Sequence, residues 1–344
     1  MRCNTAEETT GYNSSVRKPE QHMQCMEVWG GSQLTARGVA FGGLDAWVYS
    51  RPFGDAQHGG DVYYASSCAT GRISRLLLAD VAGHGRSAAS TAADLRTLMR
   101  RFVNRLDQTE FVRLLNQQFT ALSKSGVFAT AVVATFFEPS RRMTLCNAGH
   151  PRPLLYRAAR QRWDFLDHYV PELQDTRSLE PSNLPLGLLE LSAYDQFDIE
   201  LEPGDCVLSY TDALMESRDA SGEMLGENGV LRILRLIGDI EPQELIEKLL
   251  AEIAERYPRN LTEDDVTVLV VRANGRKARY TLGEKLRAFG RFVVSLIRAL
   301  HPSAERPPFP DLNLANLGGA IIPALGRRWR AKDAASETML GSAR

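Results

Sequence analysis

Apolar residues along the chain gather in short blocks with two different periods. The run RISRLLLADVAGHG (72–85) is continuously apolar from Leu76 to Ala79 and breaks at glycines, which predicts a buried strand feeding a turn. LDAWVYSRP (44–52) predicts a first strand, after a stretch from Met26 in which short apolar runs alternate with glycines. SAASTAADLRTLMRRFVNRL (87–106) and FVRLLNQQFTALS (111–123) instead carry Ala, Leu, Phe and Met at helical spacing. FATAVVATFFEP (128–139) and RRMTLCNAGHPRPLLYR (141–157) predict a strand pair closed by a turn. GDCVLSYTDAL (204–214) predicts a strand ending in a turn, PQELIEKLLAEIAERY (242–257) a helix, and DVTVLVVR (265–272) a closing strand. Strands and helices come in blocks rather than strict alternation, which favours an α+β fold with helices covering antiparallel sheets.

Four acids punctuate this pattern: Asp61 in GGDVYY, Asp80 after RLLLA, Asp212 in LSYTDAL and Asp264 in TEDDVTVLVVR. Three of them sit at or beside the end of an apolar run, so a sheet would deliver their carboxylates to one rim, where hard oxygen ligands suit Mg²⁺ or Mn²⁺. Each also has a plain structural reading. Asp80 suits the cap of the following helix, Asp212 an Asx-turn, Asp61 a tight turn after Gly59-Gly60, and Asp264-Asp265 a pair of solvated loop acids. The residue types alone leave both readings open at each position; order and spacing together are what is specific.

Composition narrows the class without choosing the chemistry. The chain has 344 residues with 44% apolar and 24% charged content, ordinary globular values. Five cysteines form no CxxC pair, and Cys68, Cys146 and Cys206 fall inside strand-like runs, as expected of buried thiols in a reducing cytoplasm. No apolar span of membrane length and no leader-like segment is present, so a cytoplasmic location is expected. Residues 1–25 are polar and expected to be disordered. From Arg272 to Arg344 there are 14 Lys/Arg against 5 Asp/Glu, a net of +9, which leaves −10 for residues 1–271 out of chain totals of 41 and 42. A domain is therefore expected over 26–272, followed by a basic extension over 273–344.

The motifs in chain order resemble those of the metal-dependent protein phosphatases of the PPM (protein phosphatase 2C-like) superfamily, stage II sporulation protein E subfamily. The resemblance runs through GGD at 59–61, LLLADVAGHG at 76–85, FATAVVATF at 128–136, NAGHPRPLLY at 147–156, LPLGL at 184–188, LEPGDCVLSYTDALMESRDASGEMLGENGV at 201–230 and EDDVTVLVVR at 263–272. It implies two packed antiparallel sheets flanked by helices, in α-β-β-α layers, with a two-metal Mn²⁺ or Mg²⁺ centre at one end. It implies Asp80 as bridging carboxylate, the Val81 carbonyl as a further ligand, Asp212 and Asp264 completing one metal site, and Asp61 supporting the other. The implied activity is hydrolysis of phosphoserine or phosphothreonine in a protein, such as an anti-sigma-factor antagonist in bacterial signalling, by a metal-activated water.

Two departures bear on activity. The family usually has TDG where this chain has Thr211-Asp212-Ala213; if that glycine takes positive φ, the alanine costs on the order of 1 kcal/mol and shifts Asp212. That keeps a second expectation open, an inactive relative serving as a phosphoprotein-binding or scaffolding module. The family also often has an acid where Tyr64 stands. Among the histidines, His84 near the rim suits a proton donor to the leaving group, or a residue fixing the turn before the helix. His150 in NAGHP is read as structural, and nothing in the spacing argues for His58. Arg51 and Arg86 are candidates to grip phosphate only by proximity in sequence.

Beyond the catalytic block, TLGEKLRAFGRFVVSLIRALH (281–301) has an apolar stripe and a basic face, an amphipathic helix. Docking on the acidic domain or association with a partner or second copy is the favoured expectation over peripheral membrane contact. Nucleic-acid binding is not expected, because the basic residues are not interleaved with several aromatics. With roughly 50 residues ahead of the catalytic block, no separate sensor domain is expected within them.

Overall fold

A computed structural model describes residues 21–22, 28–67, 72–83, 85–102, 107–122, 126–169 and 183–276. The expectations for His84, for most of the N-terminal segment and for the 281–301 helix lie outside the described residues.

In chain order the strands are β1 (Gln21–His22), β2 (Val28–Gly31), β3 (Thr35–Ala40), β4 (Leu44–Arg51), β5 (Asp61–Ser67) and β6 (Ile73–Val81). Helices α1 (Arg86–Phe102) and α2 (Gln108–Leu122) follow. Next come β7 (Ala129–Phe137), β8 (Arg142–Ala148), β9 (Leu154–Arg157), β10 (Arg162–Phe165), β11 (Phe197–Glu200) and β12 (Cys206–Tyr210). Helices α3 (Ala213–Glu216), α4 (Gly226–Ile237) and α5 (Pro242–Arg256) precede the last strand, β13 (Val266–Ala273). One sheet has the order β1-β3-β4-β13-β12-β9-β10, the other β11-β8-β7-β6-β5-β2. All pairings are antiparallel except that of β1 with β3.

Three apolar layers hold these elements. Between the sheets lie Ala46, Val48, Tyr63, Leu76, Leu78, Val132, Phe136, Val207 and Leu269. Leu77, Ala79 and Val133, on the opposite face of their strands, meet Leu95, Leu98, Phe111 and Leu115 of α1 and α2. Leu208, Val268 and Val270 meet Val230, Leu234, Leu249 and Ile253 of α4 and α5. The layers are therefore helix, sheet, sheet, helix, as the resemblance implies. Strands buried on both faces read as continuous apolar runs, which is why RLLLA and VTVLVV stand out in the sequence.

Two differences from the sequence reading are local. The run 141–157 is two strands in different sheets, because Pro151 and Pro153 cannot donate to a ladder and the chain crosses over through them from β8 to β9. Helix α4 begins in Gly-Glu-Asn-Gly, poor helix-forming sequence, and is held by burial of Val230, Leu231, Ile233 and Leu234.

The face between the sheets changes character at one end. Alternate inward positions run Ala46, Val48, Ser50 on β4, and Leu76, Leu78, Asp80 on β6. They run Ala65, Tyr63, Asp61 on β5, and Ala134, Val132, Thr130 on β7. β13 reads Val271, Leu269, Thr267 and then Asp265, while β12 reads Val207, Ser209 and then Thr211. Because side chains alternate with period two, each strand delivers its polar residue to the same rim of the sandwich.

Candidate metal centre

The rim is built on one cross-strand pair. Asp61 opens β5 and Asp80 closes β6, and the two are direct antiparallel partners, with Thr130 of β7 the next partner of Asp80. Directly opposed residues in such a pair stand only about 5 Å apart at Cβ and on the same face. Asp61 is buried, and its Oδ2 accepts a hydrogen bond from Thr211 Oγ1 of the facing sheet at 2.8 Å. Thr211 Oγ1 in turn accepts the Thr267 amide at 3.0 Å. Ser50 and Thr267 join their hydroxyls at 3.0 Å, so the polar end of the sandwich is cross-braced.

The GGD motif is explained by what surrounds it. A Cβ on Gly59 would lie 2.5 Å from Asp265 Oδ1, and one on Gly60 would lie 3.0 Å from the Val81 carbonyl oxygen and 3.3 Å from that of Gly83. The two glycines thus leave room for a carboxylate on one side and two main-chain carbonyls on the other. Gly83 and Gly85, at φ of 94° and 78°, take the left-handed conformation that the turn after Asp80 requires.

The neighbouring acids Asp264 and Asp265 divide their roles. Asp265 is buried and accepts the amides of Phe53 at 2.6 Å and Gly60 at 2.5 Å, so it ties the loop ahead of β5 to the start of β13. Asp264 Oδ1 accepts the Asp265 amide at 2.8 Å, and its charge acts on Asp80 and Asp212. The two acids do not share one role, because the chain turns between them.

Electrostatics set this rim apart. Burial pushes the Asp80 carboxyl up to about 7, helped by the charges of Asp212, Asp264, Asp265 and Glu216. Burial, then Glu216 and Asp264, push Asp212 up to about 6. Asp61 is raised well above the usual carboxylate range by burial and by Asp80, against the lowering effect of its threonine hydrogen bonds. The charges that weigh most on Asp80 are all negative. Such a concentration of carboxylates is costly unless something positive joins it.

Glu216, missed in the sequence, belongs to this group; the signal was its spacing of four from Asp212 on what proves to be helix α3. The expected cost at Ala213 does not arise. Asp212 has φ −61° and ψ −25°, Ala213 is the first residue of α3, and neither takes positive φ. Alanine is at ease there.

Other candidates fall away from the rim or are absorbed by structure. The Arg51 guanidinium donates to the Leu261 carbonyl. His58 Nδ1 lies 3.3 Å from Ser32 Oγ, next to the loop that Asp265 anchors. Tyr64 faces α1 and α2 rather than the rim. Cys146 and Cys206 are buried and free, with thiols pushed up to about 12 by burial, so neither is a nucleophile.

The donor set is entirely oxygen: the carboxylates of Asp61, Asp80, Asp212, Asp264 and Glu216 and the Val81 carbonyl that Gly60 leaves open. That set fits a hard divalent cation. Among the described residues no three acidic, histidine or cysteine side chains already converge on one point at ligating distance. The fold brings the acids to one rim without closing a finished cage.

Two antiparallel sheets between helix pairs, with acids at one rim, define the protein phosphatase 2C-like class of fold. The PP2C phosphatase domain of SpoIIE from Bacillus subtilis, solved with a fragment of its regulatory domain, superposes with a TM-score of 0.54 at 16% identity, covering 73% of this chain and 64% of that one. The pattern of the family described as Stage II sporulation protein E (SpoIIE) matches residues 71–274, and the chain belongs to that family. Stage II sporulation protein E of Priestia megaterium is 22% identical over 68% of this chain and 38% of its own length. Phosphoserine phosphatase RsbU of Bacillus subtilis is 25% identical over 57% of this chain and 55% of its own. The chain thus spans well under two thirds of the length of these curated relatives.

Proposed function

We propose that the protein is a metal-dependent phosphatase of phosphoserine and phosphothreonine in proteins, with a pair of Mn²⁺ or Mg²⁺ ions at the acid rim. The observation that carries this reading is Asp80: a partly buried carboxylate paired across strands with Asp61 and raised by four further acids. Asp80 and the Val81 carbonyl, with Asp61, Asp212 and Asp264, are the ligands, and Glu216 adds negative charge beside them. When bound, a divalent pair neutralises the phosphoryl oxygens and acidifies a water enough to attack phosphorus near neutral pH. The chain's own residues orient and support that chemistry. Thr211 fixes the Asp61 carboxylate, Asp265 fixes the Gly60 and Phe53 amides, and the glycine turn after Asp80 leaves the approach open.

The name of the RsbU relative, a phosphoserine phosphatase, supports this substrate class. A phosphorylated signalling protein such as an anti-sigma-factor antagonist is the proposed partner, with residues 26–272 as the catalytic domain and 273–344 as an extension for partner or self-association. Among the described residues no helix is long and apolar enough to cross a membrane; a cytoplasmic location is part of the proposal. His84 is proposed as proton donor to the leaving group on its place in the sequence alone.

The test is hydrolysis of p-nitrophenyl phosphate and a phosphoserine peptide with Mn²⁺, Mg²⁺ or EDTA, for the natural chain and Asp80→Asn. Turnover that needs metal and disappears in Asp80→Asn supports the reading. Silence in the natural chain with either metal defeats it.

A further inference from the structure

His150 stands at the corner where the chain leaves β8 in one sheet for β9 in the other. Asn147 shapes that corner, accepting the His150 amide at 2.8 Å and donating its own side-chain amide to the His150 carbonyl at 2.9 Å. Gly149, at φ 67°, lets the corner close, because a Cβ there would lie 2.6 Å from Pro185. The corner turns the imidazole inward until it is only 5% exposed.

What the ring meets there is the frame of the acid rim. Its Nδ1 lies 2.8 Å from Thr130 Oγ1, and Thr130 is the direct cross-strand partner of Asp80. On the other side, the corner leads into β9, which pairs with β12, the strand that ends two residues before Asp212. Nε2 is buried without a well-formed hydrogen bond. Burial lowers the imidazole to about 3, so the ring is neutral at working pH. A buried, imperfectly paired nitrogen is a cost to the fold. An aliphatic side chain would fill the corner without that cost, so packing alone does not account for histidine.

We propose that His150 is a positioning residue for the metal centre: it ties Thr130, beside Asp80 in one sheet, to the corner that leads into β9 and so to β12, ahead of Asp212 in the other, and so sets the separation of those two carboxylates. The inference rests on the metal-dependent phosphatase reading and adds to it the strut that holds the two halves of the ligand set. Groups that orient metal ligands from behind typically change metal affinity by about 10–100-fold when removed.

The test uses the full chain with His150→Leu, His150→Asn and Thr130→Val. Mn²⁺ is titrated by calorimetry and by phosphoserine-peptide turnover, and thermal midpoints are measured in EDTA. In His150→Leu and Thr130→Val the Mn²⁺ needed for half-maximal turnover should rise about tenfold or more. Turnover at saturating Mn²⁺ should fall much less, and the metal-free midpoint should hold or rise. His150→Asn, whose side-chain amide reaches the Nδ1 position, should recover most of the Mn²⁺ affinity. Should His150→Leu fail to fold, Thr130→Val reads the same bond by exchanging one hydroxyl for a methyl. An unchanged Mn²⁺ requirement in His150→Leu and Thr130→Val, with the natural chain binding metal and turning over, overturns the strut alone. A Mn²⁺ requirement that rises only with a falling midpoint, and that His150→Asn does not restore, also overturns it. If the natural chain binds no Mn²⁺, the phosphatase reading falls, and this inference with it.

Discussion

Replacing Asp80 by asparagine should make the metal-free protein more stable while abolishing its turnover. In the unfolded chain an aspartate titrates at about 3.9. In the folded chain burial and four neighbouring acids hold Asp80 up to about 7. Between those values the folded state binds more protons than the unfolded state. Its stability from this residue is therefore complete below about pH 4 and is lost progressively as pH rises to about 7. A raise of about three units sets a ceiling of about 4 kcal/mol. Asparagine keeps the burial cost of a polar group but not that of a charge, so a gain of about 2 kcal/mol is expected at pH 8. For a domain of this size that is an increase of about 4–8 °C in midpoint. Thermal unfolding in EDTA at pH 5 and pH 8 measures it. At pH 5 the natural Asp80 is already protonated, so the two proteins should nearly coincide. A gain equal at both pH values, or a loss at pH 8, would refute the electrostatic account of the rim.

Three further substitutions probe the supports. Gly59→Ala would set a Cβ 2.5 Å from Asp265 Oδ1 and should displace the carboxylate that holds the Gly60 and Phe53 amides. A stability loss of about 1–3 kcal/mol in urea titration, with turnover reduced at least tenfold, is expected. Ala213→Gly should bring no gain in turnover and should cost about 0.5–1 kcal/mol, because position 213 is helical; a rise in turnover would contradict that geometry. Glu216→Gln removes a charge that raises both Asp80 and Asp212, so the acid limb of Mn²⁺-dependent turnover should move to lower pH. An unmoved limb would place Glu216 outside the group.

The sequence carried the acids but not their geometry. Asp80 is legible because four apolar residues end at it and two glycines follow. Its pairing with Asp61 is not legible, since register depends on how the chain turns between β5 and β6 rather than on either motif. Asp264 and Asp265 read in the sequence as one pair of solvated loop acids, whereas the fold gives Asp265 two main-chain amides. Glu216 was hidden because LSYTDAL reads as a strand and turn, whereas the residues after Asp212 form a short helix that brings the side chain back over it. Thr130, Thr211 and Thr267 were invisible as site residues. A threonine in a strand is ordinary, and only the shared end of the sandwich makes these three a set. His150 was read as structural from its turn; the turn is real, and its side chain reaches the frame of the acid rim.

Asp61, Asp80, Asp212 and Asp264 together are expected to hold divalent metal. Anomalous diffraction from crystals grown with Mn²⁺ tests it most directly. Strong manganese peaks against Asp80, with Asp61, Asp212 and Asp264 around them and the Val81 carbonyl among the ligands, are the expected result. No peak at this rim, in crystals of protein that hydrolyses phosphoserine peptide with Mn²⁺, would contradict the account and send the search for the catalytic centre elsewhere.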